Sequence, residues 1–181
     1  MGMSAAYYTA DMVRALPDDG NKYELVYGEL LVTPAPRPWH EVIRHRLQVS
    51  LDRYLERERI GQLFGPLADV SWDADVLVSP DLFVVPLEEA RTLDWSSMRH
   101  LLLVAEILSP STARFDRFTK RRRYQEAGIP LYWIIDADER RVEAWTPADT
   151  FPQFERERLR WHPAGATTAF AMELSALLQP L

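Results

Sequence analysis

The chain contains no cysteine. Disulfide cross-links, thiol nucleophiles and cysteine-ligated zinc are therefore excluded. Positive charge is also in short supply: 21 Lys and Arg face 27 Asp and Glu, a formal net charge of −6. Indiscriminate polyanion binding usually needs a basic surface, so any nucleic-acid contact must rest on a local patch or on a metal held by acids. No apolar run is long enough to span a bilayer, so no membrane partner is expected. The opening MGMSAAYYTADMV lacks the basic start and apolar core of a signal peptide, and Ala6 stands where a myristoylation signal needs Ser or Thr. Internal repeats and low-complexity tracts are missing too. A cytoplasmic protein is the expectation, and 181 residues at 47% hydrophobic fit a single domain over 1–181.

What is present centres on residues 101–135. An apolar run, Leu101 to Leu108, is long enough for one buried strand and is interrupted by a single acid, Glu106. Ser109, Pro110, Ser111 and Thr112 then form a helix-start cluster. A charged helical stretch over 112–127 stops at Gly128 and Pro130, and a second apolar run, Leu131 to Ile135, ends at Asp136. Strand, helix and strand at this spacing predict two parallel strands joined by a crossover. A carboxylate inside a buried strand needs a cation, hydrogen bonds or a shifted pKa. Taken alone, Glu106 reads as a structural carboxylate. Asp81, after Ser79-Pro80 and before the apolar run Leu82 to Val85, changes that reading. If 81–85 pairs antiparallel with 101–108, two carboxylates meet at one end of a sheet, and a divalent cation is the common remedy for their repulsion.

The remaining elements follow in order. A short helix is predicted over 9–15, then a turn at Asp18–Asn21, then a hairpin in KYELVYGELLVT turning about Tyr27-Gly28. Glu29 reads as a solvent-facing acid; Glu24 reads either that way or as an auxiliary acid of the site. Pro34, Pro36 and Pro38 make a stiff linker. The stripe Ile43, Leu47, Leu51, Tyr54 and Leu55 predicts a helix over 39–59. His40 lies one turn before Ile43 and reads either as a capping or core histidine or as a group facing the acids. His40 and His45 are five apart, which is not the i, i+4 spacing of a helical zinc pair. Gly61 to Trp72 offers a strand broken by Gly65-Pro66, and Asp73 reads as a turn acid. Residues 86–100 form a long connection. After Asp136, RRVEAWTP and FERERLRWHP predict a hairpin that extends the sheet, with Trp145 and Trp161 as candidates for a dimer surface. MELSALL reads as a short amphipathic segment.

On the central helix, Arg114, Arg117 and Arg121 recur at i, i+3 and i+7, so they read either as a solvated face or as a phosphate-contacting patch. Phe115, Phe118 and Tyr124 are expected to pack.

Pro80-Asp81, Glu106 and a following lysine resemble the PD-(D/E)xK nuclease superfamily. More narrowly, YELVYGEL, PDLFVV, AEILSPST and K-x3-Y-x3-GIPLYWIID resemble the Uma-two family of restriction-endonuclease-like proteins, from about Tyr23 to Asp136. The superfamily lysine normally lies two residues after the Glu, where this chain has Leu108; in the narrower family it sits on the next helix, where this chain has Lys120. The resemblance implies a mixed α/β (α+β) fold with a restriction-endonuclease-like core: a central sheet flanked by helices, with a β-hairpin before and another after. It also implies a metal-dependent endonuclease acting on DNA. Asp81 and Glu106 would hold Mg²⁺ or Mn²⁺ with the Ile107 carbonyl, and Lys120 would act in catalysis. Glu24, His40 and Tyr124 would be auxiliary, and a homodimer is implied. The competing expectation is a non-catalytic nucleic-acid-binding module, or a dimeric regulatory one, on the same fold.

Overall fold

The computed structural model describes residues 7–33, 36–66 and 68–181. The expectations for residues 1–6, for Pro34 in the linker and for Leu67 lie outside them. Helix α1 (Ala10–Arg14) begins at Thr9, whose hydroxyl accepts from the Met12 N–H at 3.3 Å. The hairpin follows as β1 (Lys22–Val26) and β2 (Glu29–Thr33). Both turn residues have positive φ, 53° at Tyr27 and 73° at Gly28, which is the primed geometry that suits twisted strands. Tyr27 tolerates it because its side chain is tethered: the hydroxyl donates to Glu126 at 2.5 Å, and the Arg123 guanidinium lies 5.1 Å over the ring. At Gly28 a Cβ would add the strain of a left-handed backbone and would fall 2.3 Å from the ring of the exposed Tyr7, which would have to swing away.

Helix α2 (Pro38–Glu58) starts with Pro in its first turn, where the missing N–H costs nothing. Strand β3 (Gly61–Phe64) ends before Gly65-Pro66, and the predicted strand to Trp72 reduces to one bridge between Val70 and Val78. Strand β4 (Val76–Leu77) pairs with β1, so the hairpin belongs to a separate sheet ordered β2-β1-β4.

The central sheet uses β3 and then β5 (Leu82–Pro86), β6 (Leu103–Ile107), β7 (Tyr132–Asp136), β8 (Arg141–Trp145) and β9 (Gln153–Glu155), in that spatial order. Helix α3 (Leu87–Ala90) lies in the long connection from β5 to β6. A π-helical stretch, Phe115–Lys120, runs directly into α4 (Arg121–Glu126) between β6 and β7. That crossover makes β6 and β7 parallel; the other pairs in the sheet are antiparallel. The predicted C-terminal hairpin is realised in part. β8 and β9 extend the sheet, but β10 (Arg158–Trp161) leaves it to pair with β11 (Phe170–Glu173), ahead of α5 (Leu174–Leu177).

Strand alternation gives the central sheet two buried faces. Leu82, Val84, Ala105, Trp133 and Ile135 meet α2 through Ile43, Leu47 and Leu51, joined by Leu159, Trp161 and Phe170. Phe83, Val85, Val104, Tyr132 and Ile134 meet Val26, Val76, Val78 and Tyr124. Trp145 and Trp161, expected at a dimer surface, are buried at 7% and 5% exposure. Trp145 packs into the core with Tyr124, Tyr132 and Ile134, and Trp161 lies 5.8 Å from the ring of Tyr54 on α2. Phe118, expected to pack, is 62% exposed. No helix among the described residues is long and apolar enough to cross a membrane.

Helix α2 ends at Arg59, held at φ 55° and ψ 34° with its N–H on the Leu55 carbonyl at 2.8 Å. A left-handed residue with a Cβ costs roughly 1–2 kcal/mol relative to glycine. Arg59→Gly is therefore expected to raise the unfolding free energy by about 1 kcal/mol in urea titration; a loss of stability would show that the arginine side chain, not the backbone, sets the helix end.

Candidate active site

The pairing of Leu82 with Ala105 sets Asp81 opposite Glu106 one step further along. Both point to the face covered by the hairpin and α4, because each is two residues from an inward side chain of that face, Phe83 and Val104. The Asp81 N–H donates to Glu106 Oε2 at 3.2 Å, and the Ile107 N–H donates to Asp81 Oδ2 at 2.8 Å. The two acids are thus locked to each other's strand. Their side chains are 12% and 3% exposed, with Asp81 the nearer to solvent.

Lys120 closes the cluster from the helix. An α-helix turns about 100° per residue, so inward positions four apart drift by about 40° each time. The wider π-turns of 115–120 counter that drift. Asp116, Lys120 and Tyr124 all end up buried on one line. The Lys120 ammonium donates to Glu24 and to Glu106 Oε1, each at 2.9 Å, and lies 3.3 Å from Asp116 Oδ1.

Glu24 reaches the cluster from β1 and is buried, not solvent-facing. Its Oε1 accepts the Ser79 N–H at 3.0 Å. Two residues earlier on the same strand face, the Lys22 ammonium lies 3.5 Å from Glu24 Oε2. From the first turns of α2, His40 Nε2 sits 3.0 Å from Asp81 Oδ2 and Nδ1 sits 3.3 Å from Glu41 Oε1. Arg44 braces Glu41 at 2.9 Å.

Four carboxylates (Glu24, Asp81, Glu106, Asp116) thus share two ammonium groups, and the titration of each acid reflects its share. Burial pushes Glu106 up to about 8; Lys120 opposes that and Asp81 adds to it. Burial also raises Asp116. Burial works against ionisation of Glu24 too, but Lys120 and Lys22 together hold its carboxyl below the usual range. Asp81 is likewise held low against burial, by His40 first and then Lys22. Lys120 stays charged despite burial because Glu106, Glu24 and Asp116 surround it. The Lys120–Glu106 contact therefore favours the cation more than the anion, since one ammonium is divided among three acids.

The donor set fits a hard divalent cation. Among the described residues, both hydrogen bonds to the Asp81 side chain fall on Oδ2, and none falls on Oδ1. No group of three or more His, Cys, Asp or Glu side chains among the described residues is arranged to hold a metal ion. Mg²⁺ asks for less: one or two carboxylates, with water and substrate oxygens completing an octahedron.

The helix arginines are placed differently from the acids. Arg114 is exposed. Arg117 pairs with Asp136 at 2.6 Å and Glu143 at 2.7 Å. Arg121 bonds Gln125 at 2.6 Å and stacks 4.6 Å over Trp145. The Tyr124 ring is buried against Tyr132, and its hydroxyl has no hydrogen-bond partner among the described residues. Lys22, Glu41 and Asp116 were not expected at the site. Asp116 could have been found as the i−4 neighbour of Lys120, and Lys22 from the rarity of lysine in this chain.

Removing one partner of a buried ionic set costs roughly 3–5 kcal/mol. Lys120→Met is expected to lose about that much in chemical denaturation, and adding Glu24→Gln should restore part of it. A loss below about 1 kcal/mol would show that the cluster is open to water.

Comparison with known proteins agrees with this arrangement. Residues 10–172 match the Uma2 family, described as "Putative restriction endonuclease". No curated protein matches the sequence. Among solved structures, a crystal structure described as a "putative nuclease belonging to DUF820" from Anabaena variabilis superposes with a TM-score of 0.76 at 20% identity, covering 94% of this chain and 97% of that one. At this identity the likeness establishes the shared fold. The family match includes both acids, the hairpin with Glu24 and the helix with Lys120, and the chain belongs to the Uma2 family.

Proposed function

We propose that this protein is a Mg²⁺- or Mn²⁺-dependent endonuclease that hydrolyses DNA phosphodiester bonds in the cytoplasm. The observation that carries this reading is the meeting of Asp81 and Glu106 at the end of β5 and β6, with Lys120 donating to Glu106 at 2.9 Å. Asp81 and Glu106 would hold the cation, with the Ile107 carbonyl beside them. A divalent cation there would polarise a phosphate oxygen and lower the pKa of a bound water. In the reaction the water oxygen bonds to phosphorus, the bond from phosphorus to one sugar oxygen breaks, and that oxygen leaves with a proton.

The chain's own residues do the rest. His40 fixes the rotamer of Asp81, and Lys120 fixes that of Glu106 while balancing its charge. Arg114 is an exposed cation on the same helix for flanking phosphates; Arg117 and Arg121 would have to exchange internal partners to join it. A homodimer is part of this proposal and would use groups other than Trp145 and Trp161, such as the exposed Phe151 and Phe154.

The net charge of −6 favours a second reading, a non-catalytic module on the same fold. Metal titration separates the two. Saturation at a hundred times Kd adds roughly 2.7 kcal/mol to stability. Mn²⁺ is expected to raise the melting temperature of the wild type, and the wild type is expected to nick plasmid DNA. Asp81→Asn and Glu106→Gln should stay folded by circular dichroism and lose both effects. Full metal-induced stabilisation in both variants would remove the assignment, and a metal-binding wild type that never cuts would favour the module.

A further inference from the structure

Only two of the 21 basic residues in this chain are lysines, Lys22 and Lys120; the others are all arginines. Both lysines end at the same carboxylate cluster. They are placed differently within it. Lys120 is 1% exposed, and its ammonium is spent on Glu24, Glu106 and Asp116. Two of its N–H groups are hydrogen-bonded to Glu24 and Glu106, and Asp116 lies 3.3 Å away, so it could reach a substrate only by leaving acids buried and unpaired. Lys22 is 30% exposed and has one carboxylate at 3.5 Å, beyond ordinary hydrogen-bond length. With Asp81 and His40, which are 12% and 11% exposed, it is one of the cluster members that reach solvent, while Glu24, Glu106 and Lys120 are at most 3% exposed.

We propose that Lys22, not Lys120, is the cation that meets the substrate, its ammonium contacting a non-bridging oxygen of the phosphate brought to Asp81. This rests on the nuclease reading above and assigns within it the group that admits a phosphate to an acidic site. Four carboxylates repel an incoming phosphate, and a cation already paired below cannot offset that repulsion. A flexible, compact ammonium at the mouth can swing from Glu24 to the phosphate, whereas a planar guanidinium would be held in a fork by the carboxylate. Lys120 then serves as the fixed counter-charge that positions Glu106.

The test compares wild type, Lys22→Met and Lys22→Arg. Binding of a fluorescent DNA duplex is followed by anisotropy with Ca²⁺ present, and plasmid cleavage is measured with Mn²⁺. Lys22→Met is expected to keep its Mn²⁺-induced thermal shift, to bind about ten- to a hundredfold more weakly and to cut correspondingly slowly. Its dependence of binding on salt should fall by about one phosphate contact. Lys22→Arg should also weaken binding, though less than Lys22→Met, since the charge remains but the guanidinium stays forked on Glu24. Because Lys22→Met could fail to fold, amine acylation of the wild type followed by mass spectrometry gives a second readout. Lys22 should be modified and be shielded by DNA, with Lys120 unmodified in both states. Undiminished binding and cleavage by Lys22→Met, or equal labelling of Lys22 with and without DNA, overturns the assignment while leaving the nuclease reading intact. A wild type that neither binds nor cuts DNA overturns the nuclease reading and this assignment together.

Discussion

The ammonium of Lys120 ties three separate pieces of the chain together. It joins Glu24 of the N-terminal hairpin, Glu106 of the central sheet and Asp116 of its own helix inside a space closed to water. Each charge pays a desolvation cost that good geometry only offsets, so such a set is weak evidence for stability and better evidence for a required arrangement. Its effect here is positional. The hairpin is hydrogen-bonded to β4, not to the central sheet, and Glu24 carries it onto that sheet's buried face through Lys120 and the Ser79 N–H. The π-helical stretch serves the same end, since it aims Asp116, Lys120 and Tyr124 along one line.

From that contact the chemistry of the site follows. One ammonium divided among three acids cannot neutralise them all, and burial leaves Glu106 inclined to hold a proton. Asp81, nearer to solvent and served by His40, stays ionised. In the proposed function a divalent cation would take the place of that proton and complete the set. The acidic balance of the whole chain, −6, is then compatible with a phosphate-directed function, because the cations that matter are local.

Much of this was legible in the sequence, for reasons that differ by residue. Glu106 stood out because a lone acid in an apolar run needs a partner, and Asp81 because a Pro before an apolar run marks the mouth of a strand. Their antiparallel pairing and the parallel β6–β7 crossover follow from connection lengths. The role of Lys120 at the site comes from a resemblance, since periodicity alone allows it to face solvent with the arginines around it. Other features were beyond reach. The π-turns have no sequence signature in this stretch, so the inward line Asp116, Lys120, Tyr124 could not be separated from an ordinary helix face. The two-residue β4 is too short to show alternation, and so the hairpin's true partner was hidden. Trp145 and Trp161 looked like surface aromatics because alternation fixes which residues share a face but not which face is covered. Lys22 is the first residue of a strand, and only the scarcity of lysine sets it apart in the sequence.

The proposed chemistry requires a cation held between Asp81 and Glu106 above a fixed Lys120. A crystal soaked with Mn²⁺ and measured for anomalous scattering addresses that directly. One anomalous peak is expected, bonded to Asp81 Oδ1 and to a Glu106 oxygen at roughly 2.0–2.2 Å, with the Lys120 ammonium still on Glu24. An ion bound elsewhere, or a site that stays empty with Lys120 as the only counter-charge at millimolar Mn²⁺, would contradict it.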